Sequence, residues 1–156
     1  MALDYQPVNT SPKSPSHLRV VIDRLRKTIT SVGGVAEPGS TLDGTATAAI
    51  AVGEVVYADG AGSFDLAQSD AIATSYALGV CTVAAAIAGT ATIQTAGTVT
   101  NAGWALTPGS VYYLSTATPG AITATAPTTA GQCVVPIGIA VSATQLKLLL
   151  TPLVLL

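Results

Sequence analysis

Between Asp70 and Lys147 the chain contains no charged side chain and no histidine. A stretch that long without a carboxylate, an imidazole or a cation offers no carboxylate or histidine for acid–base chemistry, and it lacks the mixed charge that normally keeps a small domain soluble. Over the whole 156-residue chain, charged residues make up 9%, against roughly 25% in ordinary soluble domains. Hydrophobic residues make up 49% and the mean hydropathy is +0.58. A free monomer of this composition would expose much uncharged surface, so copies of itself or partners are expected to cover it.

The charges that exist are segregated. Lys13, Arg19, Arg24, Arg26 and Lys27 are five of the six basic residues, so the first thirty residues are net basic and the rest is net acidic. Two physical objects are expected on one chain: residues 1–32, an arm with a helix, and residues 33–156, a β domain. The arm, Gln6 to Ser16, is rich in Pro, Ser and Thr and reads as extended. From Leu18 the apolar residues Leu18, Val21, Ile22, Leu25, Ile29 and Val32 fall on one stripe of a short amphipathic helix. Ser14 and Pro15 suit its start, and Gly33-Gly34 its end. Within the stripe, Leu18, Ile22, Leu25, Ile29 and Val32 step by four and three, the spacing of a coiled-coil seam. Two heptads are marginal alone in water. The stripe therefore either lies on its own β domain or serves as an oligomer or docking seam. Arg19, Arg24, Arg26 and Lys27 are the candidate docking charges. Nucleic-acid binding is disfavoured, because no aromatic side chain is interleaved with this patch and the sequence pI is about 5.0.

The second object reads as all β. Runs rich in Val, Ile, Thr and Tyr, at Val55–Ala58, Leu78–Val83, Thr90–Thr95, Val111–Leu114, Ala121–Thr125, Cys133–Val141 and Gln145–Leu150, are separated by Gly, Pro, Asp or Ser. Such spacing suits a small β-sandwich or β-barrel. Abundant Ala and Thr predict thin layers whose hydroxyls, rather than charges, meet water. An internal echo adds to this. Gly44-Thr-Ala-Thr recurs as Gly89-Thr-Ala-Thr, Gly53-Glu-Val-Val-Tyr57 as Gly109-Ser-Val-Tyr-Tyr113, and Leu78-Gly-Val80 as Ile137-Gly-Ile139. Either two similar β units pack about a common core, or an Ala/Thr/Gly-rich chain repeats itself by chance; a shared strand order decides between them.

Candidate chemistry is sparse. The only histidine, His17, lies in the basic segment, away from any acid–nucleophile pair of the β domain. Asp59-Gly-Ala-Gly-Ser-Phe-Asp65 reads as a hairpin turn in preference to a calcium loop, because the further acids of such a loop are missing. Gly60-Ala-Gly62 lacks the third glycine of a dinucleotide loop, and no phosphate loop occurs, so no cofactor is expected. Cys81 and Cys133 match no metal or redox spacing and read as buried apolar side chains, a disulfide being the lesser alternative. Tyr112 and Tyr113 should point to opposite sheet faces. Trp104 reads as a lid over the barrel end, or as an exposed aromatic platform. The N-terminus lacks the features of an export signal, and Pro152 interrupts the apolar Leu146–Leu156 stretch, so no membrane partner is expected. That C-terminal stretch should close the β core or dock on a neighbour.

The layout of Ala51-Val-Gly-Glu-Val-Val-Tyr57, Tyr76-Ala-Leu-Gly-Val80, Gly89-Thr-Ala-Thr-Ile-Gln-Thr-Ala-Gly97, Leu106-Thr-Pro-Gly-Ser-Val-Tyr-Tyr-Leu-Ser115, Pro119-Gly-Ala-Ile122 and Pro136-Ile-Gly-Ile-Ala140 resembles the small β-domain structural proteins of tailed bacteriophages, the capsid decoration or cement proteins and head fibres. The resemblance covers roughly residues 44–150 and is one of layout. It implies a non-enzymatic virion protein, made in the host cytoplasm and commonly a homotrimer. Its partners would be itself and the major capsid protein or another virion protein. A tail-fibre or baseplate module that binds a host receptor or glycan is the alternative it leaves open.

Overall fold

In the computed structural model, residues 40–60 and 62–156 are described, and they are mainly β. The amphipathic stripe, its seam Leu18, Ile22, Leu25, Ile29 and Val32, and the charges Arg19, Arg24, Arg26 and Lys27 lie outside the described residues. The first five strands are β1 (Thr41–Ala46), β2 (Val55–Gly60), β3 (Ser63–Leu66), β4 (Gly79–Val83) and β5 (Thr90–Gln94). They close a barrel in the order β1-β3-β2-β4-β5. The closing contact, β1 with β3, is parallel; every other ladder of the barrel is antiparallel. A five-stranded sheet follows, β6 (Thr98–Thr100), β7 (Val111–Leu114), β8 (Ile122–Thr123), β10 (Pro136–Ser142) and β11 (Gln145–Leu148), in the order β6-β11-β10-β7-β8. A short ribbon pairs β9 (Cys133–Val134) with β12 (Val154–Leu155).

The two sheets have one topology. Matching β1 to β6, β2 to β7, β3 to β8, β4 to β10 and β5 to β11 converts every antiparallel ladder of the barrel into a ladder of the second sheet. The registers agree residue by residue. Val55 faces Val80 and Val56 faces Gly79 in the first half; Val111 faces Ile139 and Tyr112 faces Gly138 in the second. Val80, Cys81 and Val83 face Gln94, Ile93 and Thr92, as Ile139, Ala140 and Ser142 face Lys147, Leu146 and Gln145. Even the irregularity is shared, with Cys81/Val83 and Ala140/Ser142 bracketing the same β-bulge. Tyr57–Asp65 and Ala58–Phe64 correspond to Tyr113–Thr123 and Leu114–Ile122.

The echo is therefore structural in two of its three landmarks. Gly53 and Gly109 both adopt positive φ, at 92° and 81°, two residues before β2 and β7; that backbone region suits glycine and turns the chain into the strand. The third landmark places Gly79 and Gly138 at equivalent register positions. The Gly44 and Gly89 match is different in kind. Thr45 pairs with Thr90 and Gly44 with Ala91, so these segments are cross-strand neighbours within one half and not counterparts.

What differs between the halves is closure. The barrel encloses its own core of Ala46, Ile50, Val56, Phe64, Cys81, Ala91 and Ile93. The second sheet has no counterpart of the β1–β3 pairing, since β6 and β8 are only three and two residues long. Its inner face, including Val99, Tyr112, Leu114, Ala140, Leu146 and Leu148, shares a core with Val55, Ala67 and Val80 of the first half. Neighbouring strand residues point to opposite faces. Val56 and Cys81 accordingly fill the barrel, while Val55 and Val80 leave it and cap the open sheet. Burying a Val, Leu or Ile side chain is worth about 1.5–3 kcal/mol, so both cores contribute and neither half would keep its apolar face covered alone.

Polar contacts pin the junction. The Val55 N–H donates to the Gly120 carbonyl at 2.8 Å, and the Gly120 N–H to the Ala67 carbonyl at 2.7 Å. Ser69 is fully buried; its Oγ donates to the Leu114 carbonyl at 2.8 Å. Its N–H donates to Ser115 and its carbonyl accepts from the Cys133 N–H. Asn101 Nδ2 reaches back to the Val52 carbonyl at 3.0 Å.

Candidate functional site

Acidic side chains would have to converge for catalysis or metal binding, and the described ones do not. Asp43 accepts from Thr92 Oγ1 at 2.6 Å, Glu54 from the Ala51 N–H at 2.7 Å, and Asp65 from the Leu66 N–H at 2.7 Å. Asp43 is thus tied to the neighbouring strand β5, and Glu54 and Asp65 to their own turn and strand. Asp59 and Asp65 flank the hairpin between β2 and β3, where Gly60 and Gly62 take positive φ. No group of three or more His, Cys, Asp or Glu side chains able to hold a metal occurs among the described residues.

Tyr57 leans on the main core beside these acids, and its hydroxyl points at Asp59 Oδ1 at 3.5 Å. Burial raises its pKa above the ordinary 10.0, and the charges of Asp59 and Asp65 push the same way. Cys81 and Cys133 are both buried free thiols, one in each core. Burial raises the Cys81 pKa, and both thiols, at 0% exposure, lack the accessible setting of a reactive cysteine.

Tyr112 is buried and Tyr113 half-buried, on opposite faces of β7 as alternation requires. Trp104 is half-buried and packs on the main core, not over the end of the barrel. The exposed aromatic is instead Tyr76, at 60% accessibility. It borders an open groove of about 650 Å³ with Leu78, Val135, Leu150, Pro152 and Leu153. The C-terminal stretch divides. Leu146 and Leu148 are core, Leu150 and Leu153 pack on its edge, and Val154, Leu155 and Leu156 remain exposed around the β9–β12 ribbon. Among the described residues no helix is long and apolar enough to cross a membrane.

The most distinctive surface is the outer face of the second sheet. Val111, Ile139 and Val141 stand there at 37%, 36% and 57% accessibility. Val55 and Val80, the register equivalents of Val111 and Ile139, are at 0% because the second sheet covers them. Lys147 lies directly opposite Ile139 on the same face and is exposed. It is the sole Lys or Arg among the described residues, whereas Asp43, Glu54, Asp59, Asp65 and Asp70 all belong to the first half. Strand alternation in Val111-Tyr-Tyr-Leu and Ile137-Gly-Ile-Ala-Val was a readable signal for an outward apolar row, but only the paired strands show that it is left uncovered.

No protein-family model matches this chain, nor does any curated protein or solved structure.

Proposed function

We propose that this chain is a non-enzymatic structural protein of a phage particle, one that decorates or cements the capsid through its N-terminal residues and an oligomeric β domain. The observation that carries the reading is the outer sheet face of Val111, Ile139 and Val141, an exposed apolar surface on paired strands with a single charge, Lys147. Exposed apolar patches of this kind mark interaction sites. Cohesion on a lattice suits them, because many modest contacts at fixed spacing add to a large avidity. The receptor or glycan alternative draws less support, because Trp104 leans on the core instead of offering a platform.

The test is purified particles. Mass spectrometry and imaging should find the chain in the virion at a copy number that follows the capsid lattice. Removing residues 1–32 should leave a β-rich protein by circular dichroism that no longer binds particles lacking it. A truncated protein that decorates particles as fully as the intact chain rules out the anchoring role, and absence from the virion rules out the whole reading.

A further inference from the structure

The geometry points to a head-to-tail contact between copies of this chain, in which the Val111–Ile139–Val141 face and Lys147 of one copy seat against the Tyr57–Asp59–Asp65 face of the next. This rests on the proposed structural role only in assuming self-association. Three observations carry it.

The first is the internal precedent. The outer face of β2 and β4 is fully covered at Val55 and Val80 by another β-sheet, and the register-equivalent face of β7 and β10 is not. The same surface type has thus already been matched once, within the chain, by sheet-on-sheet packing. The second is charge. Lys147 sits across from Ile139 in this face and is exposed. No described acid forms a salt bridge with it, and all the described acids are in the other half. Tyr57, Asp59 and Asp65 gather beside the β2–β3 hairpin, Tyr57 and Asp65 being directly paired. The third is symmetry. Packing two Val111–Ile139 faces about a two-fold axis would bring no described acid to either Lys147, since this face carries none. Joining unlike faces brings the acids of the first half to it, and a heterologous contact closes into a ring, such as a trimer, when the rotation between copies divides a full turn.

Sedimentation velocity of the full-length protein over a wide concentration range tests this. The wild type should form a closed oligomer. Lys147→Glu, or Asp59→Lys with Asp65→Lys, should each weaken self-association by about a hundredfold. Combining both reversals in one chain should recover at least about tenfold of that loss, a rescue that misfolding would not produce. Val141→Asp, at the most exposed of the three apolar positions, should dissociate the oligomer while its circular dichroism spectrum stays that of the wild type. A wild type that is monomeric throughout overturns the contact, as does an oligomer indifferent to Lys147→Glu and Val141→Asp, or a combined reversal without recovery. Particle binding separates the two readings. An oligomer that obeys these substitutions yet never joins particles supports the contact and sinks the virion role; particle binding by a protein indifferent to them does the opposite.

Discussion

Gly79 and Gly138 meet the same obstacle in the two halves of the domain. A β-carbon on Gly79 would lie 2.6 Å from the Gln94 carbonyl oxygen, and one on Gly138 would come still closer to the carbonyl oxygen of Lys147. Gln94 and Lys147 are themselves register equivalents, so one close approach between adjacent strands recurs in both sheets. Neither glycine is needed for an unusual φ; each is required by a neighbouring backbone that cannot rotate away.

Gly79→Ala and Gly138→Ala should each destabilise the protein by about 1–3 kcal/mol, through overpacking of strand against strand. The penalty should be larger at Gly138, where the space is tighter. Urea unfolding measured by circular dichroism checks the size and the order.

Ser69→Ala should cost about 1–2 kcal/mol, because it removes a buried hydroxyl donor and leaves the Leu114 carbonyl without it. The junction also couples Asn101 to Gly53. A β-carbon at Gly53 would collide with the Asn101 side chain. Gly53→Ala should therefore cost less in an Asn101→Ala background than in the wild type, a non-additivity that a double-mutant cycle measures directly.

Tyr57 should titrate above the ordinary phenol value of 10.0, mainly because it is partly desolvated and then because Asp59 and Asp65 lie close. The folded state then holds the phenolic proton more tightly than the unfolded chain. The associated stability is complete below pH 10.0 and is lost as the pH rises through the folded value. Ultraviolet titration of phenolate should show a late-titrating component that Tyr57→Phe removes. Asp59→Asn with Asp65→Asn should move it toward 10.0 without fully restoring it.

Cys81 and Cys133 should both be reduced and slow to react. A chromogenic disulfide reagent should label neither thiol quickly in the folded protein and both in denaturant, since one is sealed in the barrel and the other in the main core. Rapid labelling of either in native buffer would contradict this burial.

Where β-branched residues cluster, local preference alone marks a strand, and the runs at Val55, Leu78, Thr90, Val111, Cys133 and Gln145 all contain strands. The segments Thr41–Ala46, Ser63–Leu66 and Thr98–Thr100 were not legible in this way. They hold Asp, Gly or too few residues, and become strands only because Ile93, Val56 and Leu146 offer them a ladder. The predicted Cys133–Val141 run splits at Val135, where β9 leaves to pair with β12 and β10 continues beside β7.

The repeat was legible where glycine is sterically compelled, before β2 and β7 and inside β4 and β10. It was misleading at Gly44 and Gly89, where a common tripeptide merely lines up across one ladder.

The sequence by itself determined a charge-poor β domain with an internal echo, because β-branched runs, turn glycines and the absence of charged residues between Asp70 and Lys147 act locally. Only the tertiary structure decided that one half closes on itself while the other closes on its neighbour. Identical registers leave both outcomes open, and the choice depends on whether β1 and β3, or β6 and β8, are long enough to meet. That choice buries Val55 and Val80 and leaves Val111 and Ile139 at the surface.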